Sequence, residues 1–443
     1  MDRPAAVPSS RLLAYGGPML GLSYLLFFVQ FYFLNFATDV LLIAPGVVGV
    51  LFAIAKLWNA VADPLIGSWS DRTRSRLGRR RPFLLAALPL LALGFEPLWT
   101  PPEALGGRGL LVWVSVALLL FYTAVTAYTL PHAALGVELS ADSHQRTRLF
   151  GARQMSLTIG MLLSFGAIQL VMNAGDPRAM AAWIALPSAL AAVALLAVTP
   201  LLVPDPAPAV AQRGAASLGA GLRSVWDNRP ARVLLFVYFV ESLGVGAVGV
   251  MAPYVSRYLV ARPDLVGLLP AAYVLSGVVA IPLWVRVSRT RGKRETWLAT
   301  MWLAAFAFAG MFFFGDEVAP LMTLLVVAGA AMGSGSVLSA AILADLIEED
   351  AERSGERKEG IYSAAMHFVM KFGTTLATAA SGLLLSAVGF VPNAEQTPAG
   401  LLGIRILFAG LPCAGFLVGG VLYRRSLRRG PGVPRMAPLP AGE

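Results

Sequence analysis

Long apolar runs alternate with short polar breaks along the whole chain. Twelve runs reach spanning length, at residues 12–38, 46–69, 82–100, 108–139, 149–173, 180–203, 230–258, 264–288, 295–315, 318–348, 361–389 and 401–424. A helix needs ~20 apolar residues to cross a bilayer, so the pattern predicts an all-α membrane protein with twelve spans. Several runs exceed one bilayer thickness, which predicts tilt or extension past the membrane surface.

The breaks are of two kinds. "SDRTRSRLGRRRP", "DSHQRTR", "VSRTRGKR", "ERSGERK" and "RRSLRR" are basic, whereas "LIAPG", "TPPEALGG", "NAGDP", "GDEVAP" and "VPNAEQTPAG" carry few cations. Cations retained on the inner side predict that the first set and both termini are cytoplasmic. An even number of spans agrees. Residues 204–229 break the rhythm with a run rich in Pro, Ala and Gly, read as a cytoplasmic linker. The expected organisation is a six-helix bundle at 1–203, the linker, a second six-helix bundle at 230–424 and a cytoplasmic tail at 425–443. A weak internal repeat supports two halves: "SRTRGKRETW" echoes "SDRTRSRLGRRRPF", and "ADLIEEDAERSGERKEG" parallels "ELSADSHQRTR".

Composition narrows the class. Of 443 residues, 57% are hydrophobic and 14% charged, against about 25% charged in soluble domains; mean hydropathy is +0.69. The net charge of +10 would suggest nucleic acid in a soluble protein. Here the cations sit in loops beside spans, so no nucleic-acid partner is expected. Cys413 is the only cysteine, which excludes an intrachain disulfide and a paired-cysteine metal site. His132, His144 and His367 are too scattered for a metal motif. The start, "MDRPAAVPSSRLLAYGG", lacks a cleavage site after a short apolar core and is read as a cytoplasmic end rather than a signal peptide. No H-E-x-x-H, P-loop or nucleophile–base set occurs, so neither an enzyme nor an ATP-driven pump is expected, and no cofactor.

Ionisable groups inside spans cost roughly 2.5–3.5 kcal/mol each on insertion scales, so each needs a reason. Lys56, Asn59 and Asp63 are spaced three and four apart and share one helical stripe. Pro64 lacks an N–H and frees a carbonyl one turn earlier. Asp63 with these oxygens is a candidate cation site, or a proton acceptor; the alternative is an interhelical salt bridge. Lys371, about ten residues into span eleven, is a candidate partner for Asp63, the alternative being that it snorkels to the surface. Glu241 lines a cavity or pairs locally. Tyr24, Gln30 and Asn35 of span one face a cavity or bond between helices. Asp71, Arg72, Arg79, Glu138, Arg146, Asp345, Arg353 and Glu359 cluster at the cytoplasmic ends, either as a gate of ion pairs between the halves or as charges that set topology.

"FATDV", "LWNAVADPLIGSWSDRTRSRLGRRRPF", "LPHAALGVELSADSHQRTRL", "LADLIEEDAERSGERKEGIYSA", "MKFG" and "GIRILFAGLP" occur in this order. Together they resemble the glycoside–pentoside–hexuronide:cation symporter family, the melibiose-permease-like branch of the major facilitator superfamily. The resemblance covers nearly the whole chain. It implies two pseudo-symmetric six-helix bundles, alternating access and cation-coupled transport of a small solute. It also implies a cation site on span two, where Asp63 matches one family acid and Asn59 replaces the other. That loss favours a proton over sodium, although a sodium site from Asp63, Asn59, Thr123 and Thr126 is the alternative, and no other metal is expected. Lys371, Lys56 and Arg153 match basic positions of the family. The acids that bind sugar in relatives fall at Ser23 and Thr129, and an aromatic platform falls at Ala133. These departures leave a lysophospholipid or other amphiphile, or export of a drug or metabolite, as alternatives to a sugar or glycoside. A membrane sensor or scaffold on the same fold is the non-transport alternative. A monomer in the cytoplasmic (inner) membrane is expected.

Overall fold

The computed structural model describes residues 8–140, 142–205, 225–354 and 359–428. The predicted linker therefore lies mostly outside the described residues, as does most of the tail. Among the described residues there are twelve helices long and apolar enough to cross a membrane: α1 Ser9–Asp39, α2 Pro45–Arg72, α3 Arg81–Trp99, α4 Gly107–Glu138, α5 His144–Met172, α6 Pro177–Leu202, α7 Arg229–Leu259, α8 Pro263–Arg291, α9 Lys293–Phe314, α10 Val318–Glu352, α11 Ile361–Ala387 and α12 Pro398–Leu427.

Local signals set where these helices begin. The Asp142 side chain accepts from the Gln145 amide at 2.8 Å at the start of α5. Asp176 accepts from the Arg178 and Ala179 amides at 2.9 and 3.0 Å at the start of α6. Such caps satisfy amides that have no partner inside the helix. Pro45 and Pro177 open α2 and α6, where a missing N–H costs nothing. Gly292, at φ +87°, turns the chain from α8 into α9. A residue with a Cβ is strained there.

The described chain packs as two compact units. Unit 1 holds the described residues within 1–213, 248–271 and 375–404; unit 2 holds those within 214–247, 272–374 and 405–443. Unit 1 thus contains α1–α6 and also the adjoining ends of α7 and α8, of α11 and of α12. An aromatic cluster forms much of its core. Phe28 and Trp99 lie 4.4 Å apart and Tyr32 stacks on Trp99 at 5.9 Å, with Phe33, Phe36 and Phe95 around the same indole. Pairs of this kind contribute ~0.5–1.5 kcal/mol beyond burial. Helices in lipid gain little from hydrophobicity and depend on close packing. A Cβ on Gly382 of α11 would lie 2.8 Å from Gly49 Cα of α2, so the two backbones meet there. Large apolar side chains such as Trp183 and Phe306 point outward, 76% and 70% exposed, as a lipid-facing surface requires.

Candidate functional site

α2 packs beside α4 in unit 1, and the polar stripe of α2 meets it. Thr126 of α4 directs its hydroxyl at Asp63 Oδ1, 3.1 Å away, with Asn59 Oδ1 at 3.4 Å. Thr126 is buried, while Asp63 and Asn59 are half-buried. Three of the expected coupling residues therefore converge on one spot. Its oxygens are a carboxylate, a carboxamide and a hydroxyl, which suit a small cation or a proton. Thr123 is engaged elsewhere: it donates to the Leu119 carbonyl at 2.6 Å and accepts from the Trp58 indole at 2.8 Å. Lys56, one turn before Asn59, has a buried ammonium with no hydrogen-bond partner among the described residues. Lys371 stands on α11 within unit 2, with its side chain exposed.

The residues expected along a substrate cavity divide. Tyr24 of α1 and Ser188 of α6 bring their hydroxyls within 3.0 Å of each other. Arg153 of α5 has an Nε without a hydrogen-bond partner among the described residues. Thr129 is half-buried, and its hydroxyl donates to the Val125 carbonyl at 2.8 Å. Two of the expected residues are buried. Ser23 is fully buried, donates to the Leu20 carbonyl at 3.1 Å and packs against Gly160 of α5, where any Cβ would collide with it. Glu241 is 5% exposed and enclosed within unit 2, where it accepts from the Trp297 indole at 2.7 Å.

The charges at the basic-loop end make ion pairs inside each unit. In unit 1, Arg79 and Arg80 reach Glu138 Oε1 at 3.1 and 3.0 Å, and Arg80 reaches Asp71 at 2.5 Å. Arg80 also donates to Ser70 Oγ at 3.0 Å, and its amide donates to Asp205 at 2.7 Å. In unit 2, Lys293 pairs with Asp345 at 2.8 Å and Arg294 with Glu349 at 3.0 Å. Arg80 is the centre of the first group, and reading the loop as a run of arginines missed it. Burial opposes its charge, but hydrogen bonds and attraction from Glu138 and Asp71 outweigh that and hold the guanidinium above its ordinary pKa. Arg72 is exposed, and Arg146 follows the cap of α5. Arg353 and Glu359 have side chains outside the described residues.

A second polar cluster lies at the opposite end of unit 1, and the sequence reading did not single it out. Asp39, at the end of α1 and 6% exposed, accepts from the Tyr258 hydroxyl at 2.5 Å, from Arg257 at 3.3 Å and from Thr38 at 2.8 Å. Asn393, after α11, donates to the Asp39 carbonyl at 2.7 Å, and its amide donates to the Tyr258 oxygen at 3.0 Å. Nearby, Gln169 of α5 donates to the Asp264 carbonyl at 2.6 Å and accepts from the Gly267 amide at 2.7 Å. Helices from both halves of the sequence are thus tied together at this end. The available signal was the acid in "FATDV", a charge closing an otherwise apolar helix.

Comparison with known proteins agrees with this architecture. Residues 14–427 match the family described as MFS/sugar transport protein. The isoprimeverose transporter of Lactiplantibacillus pentosus is 26% identical over 88% of this chain and 82% of its own. The putative glycoside/cation symporter YagG of Escherichia coli K12 is 25% identical over 88% of this chain and 86% of its own. Among solved structures, a bacterial homologue of the human lysosomal transporter Spinster superposes with a TM-score of 0.69 at 15% identity, covering 95% of this chain and 97% of that one. At that identity the likeness shows the fold. The chain belongs to the MFS/sugar transport protein family, and it is a multi-pass membrane protein and secondary transporter of the glycoside–pentoside–hexuronide:cation symporter branch of the major facilitator superfamily, not an enzyme.

Proposed function

We propose that the protein is a symporter that couples inward movement of a proton to uptake of a small organic solute, a sugar or glycoside, by alternating access. The observation that carries this reading is the convergence of Asp63, Asn59 and Thr126. A carboxylate in a membrane interior is costly when charged. A proton removes that charge, and the Thr126 hydroxyl holds the acid in place. Sodium would keep a full positive charge and would have one carboxylate here, with a neutral amide in place of a second. Neutralisation of Asp63 lowers the cost of moving the site through a dry barrier. Relatives named for isoprimeverose and for glycosides support the substrate class. The protein works as a monomer in the inner membrane with both termini cytoplasmic, and it needs no cofactor beyond the coupling ion.

An amphiphile is the second reading. It draws on Ser23 and Thr129, whose hydroxyls both bond to carbonyls of their own helices and supply no carboxylate for a sugar. Proteoliposomes separate the readings. Uptake of a labelled glycoside is expected to follow an imposed pH gradient without sodium. Asp63→Asn is expected to abolish accumulation while leaving the melting temperature within a few degrees. Undiminished gradient-driven accumulation in that variant would sink the proton reading, and stabilisation by a lysolipid but by no glycoside would sink the sugar one.

A further inference from the structure

Glu241 takes no part in the reading above, and it is the acid most fully enclosed in unit 2. It lies in the middle of α7, twelve residues from Arg229. Trp297 of α9 donates to its Oε1 at 2.7 Å. Gly335 of α10 faces it so closely that a Cβ there would fall 2.5 and 2.6 Å from the two carboxyl oxygens. A glycine is needed at this spot to make room for the acid. An indole is a neutral donor and leaves most of the lone pairs of a carboxylate unsatisfied. A charged group buried with so little compensation costs several kcal/mol, and a proton removes that cost.

The titratable groups that feel the charge of Glu241 are three phenols: Tyr238 on its own helix, Tyr273 on α8 and Tyr423 on α12. From α9 and α10 it meets Trp297 and Gly335. The hydroxyls of Tyr273 and Tyr423 are buried without hydrogen-bond partners among the described residues. Tyr423 packs edge-on against Trp297, with centroids 5.0 Å apart at 75°. It also lines a cleft with Arg294, Glu349, Leu346 and Ser426.

We propose that Glu241 is a proton-binding site of unit 2, separate from Asp63. The proposal does not depend on which ion Asp63 binds.

Infrared spectra of the reconstituted protein test it. At neutral pH the wild type is expected to show the carbonyl band of a protonated carboxylic acid that shifts in D2O. The band should persist in Asp63→Asn and be lost when Glu241→Gln is added to it, a substitution whose amide oxygen still accepts from Trp297. An unchanged band in the double variant, melting like Asp63→Asn alone, overturns the site. That result does not bear on Asp63, whose own variant is scored separately by accumulation.

Discussion

Asp63 could be singled out without coordinates because a carboxyl within an apolar run must be compensated, and its spacing from Asn59 and Lys56 put all three on one stripe. Which threonine joined it could not be read. Thr123 and Thr126 lie three apart on α4 and look equivalent in sequence, but Trp58 occupies the first and leaves the second for Asp63. Ser23 shows a different gap: matching a family position says which residue is present, not which way it points. Two substitutions test the chemistry at Asp63. Thr126→Val removes a hydrogen bond to an ionisable group, worth ~1.5–3 kcal/mol. Apparent proton affinity, from uptake rate against pH, is expected to change about tenfold or more. Asn59→Asp restores the second acid, and uptake in that variant is expected to become sodium-stimulated, measured with a sodium gradient at fixed pH.

The helices were legible to within a few residues. Residues 108–139 became Gly107–Glu138, and 180–203 became Pro177–Leu202. The second shift follows from Asp176 capping the first turn. The tenth helix ran further than expected, to Glu352, because charged residues continue a helix comfortably once outside lipid. How helices approach one another was not legible. Gly160 of α5 has a Leu20 carbonyl and Ser23 of α1 where a side chain would be. Gly160→Leu is expected to force α1 and α5 apart at a cost of about 1–3 kcal/mol or more, read as a lower melting temperature in detergent. Gly151 has open space at its Cβ, so Gly151→Ala is expected to leave that temperature nearly unchanged.

Across the protein, the cluster at Asp39 ties together segments distant in sequence. It joins the end of α1 to the end of α7 and to the segment after α11 through hydrogen bonds. Removing one partner of a buried ion pair costs ~3–5 kcal/mol. Asp39→Ala is accordingly expected to lower the melting temperature and to impair transport, whereas Asp39→Asn, which retains an acceptor for Tyr258, should be milder; equal melting of wild type and Asp39→Ala would refute the assignment. Span number, loop polarity and the presence of an acid within an apolar span were decided by local chemistry, since apolar length, loop cations and the cost of a buried charge act on each segment separately. The partner of Asp63, the inward turn of Arg80, the enclosure of Glu241 and the knot at Asp39 required the folded chain. Each depends on a contact between residues tens to hundreds of positions apart, and helix packing selects those contacts through the fit of particular surfaces, which no single segment encodes.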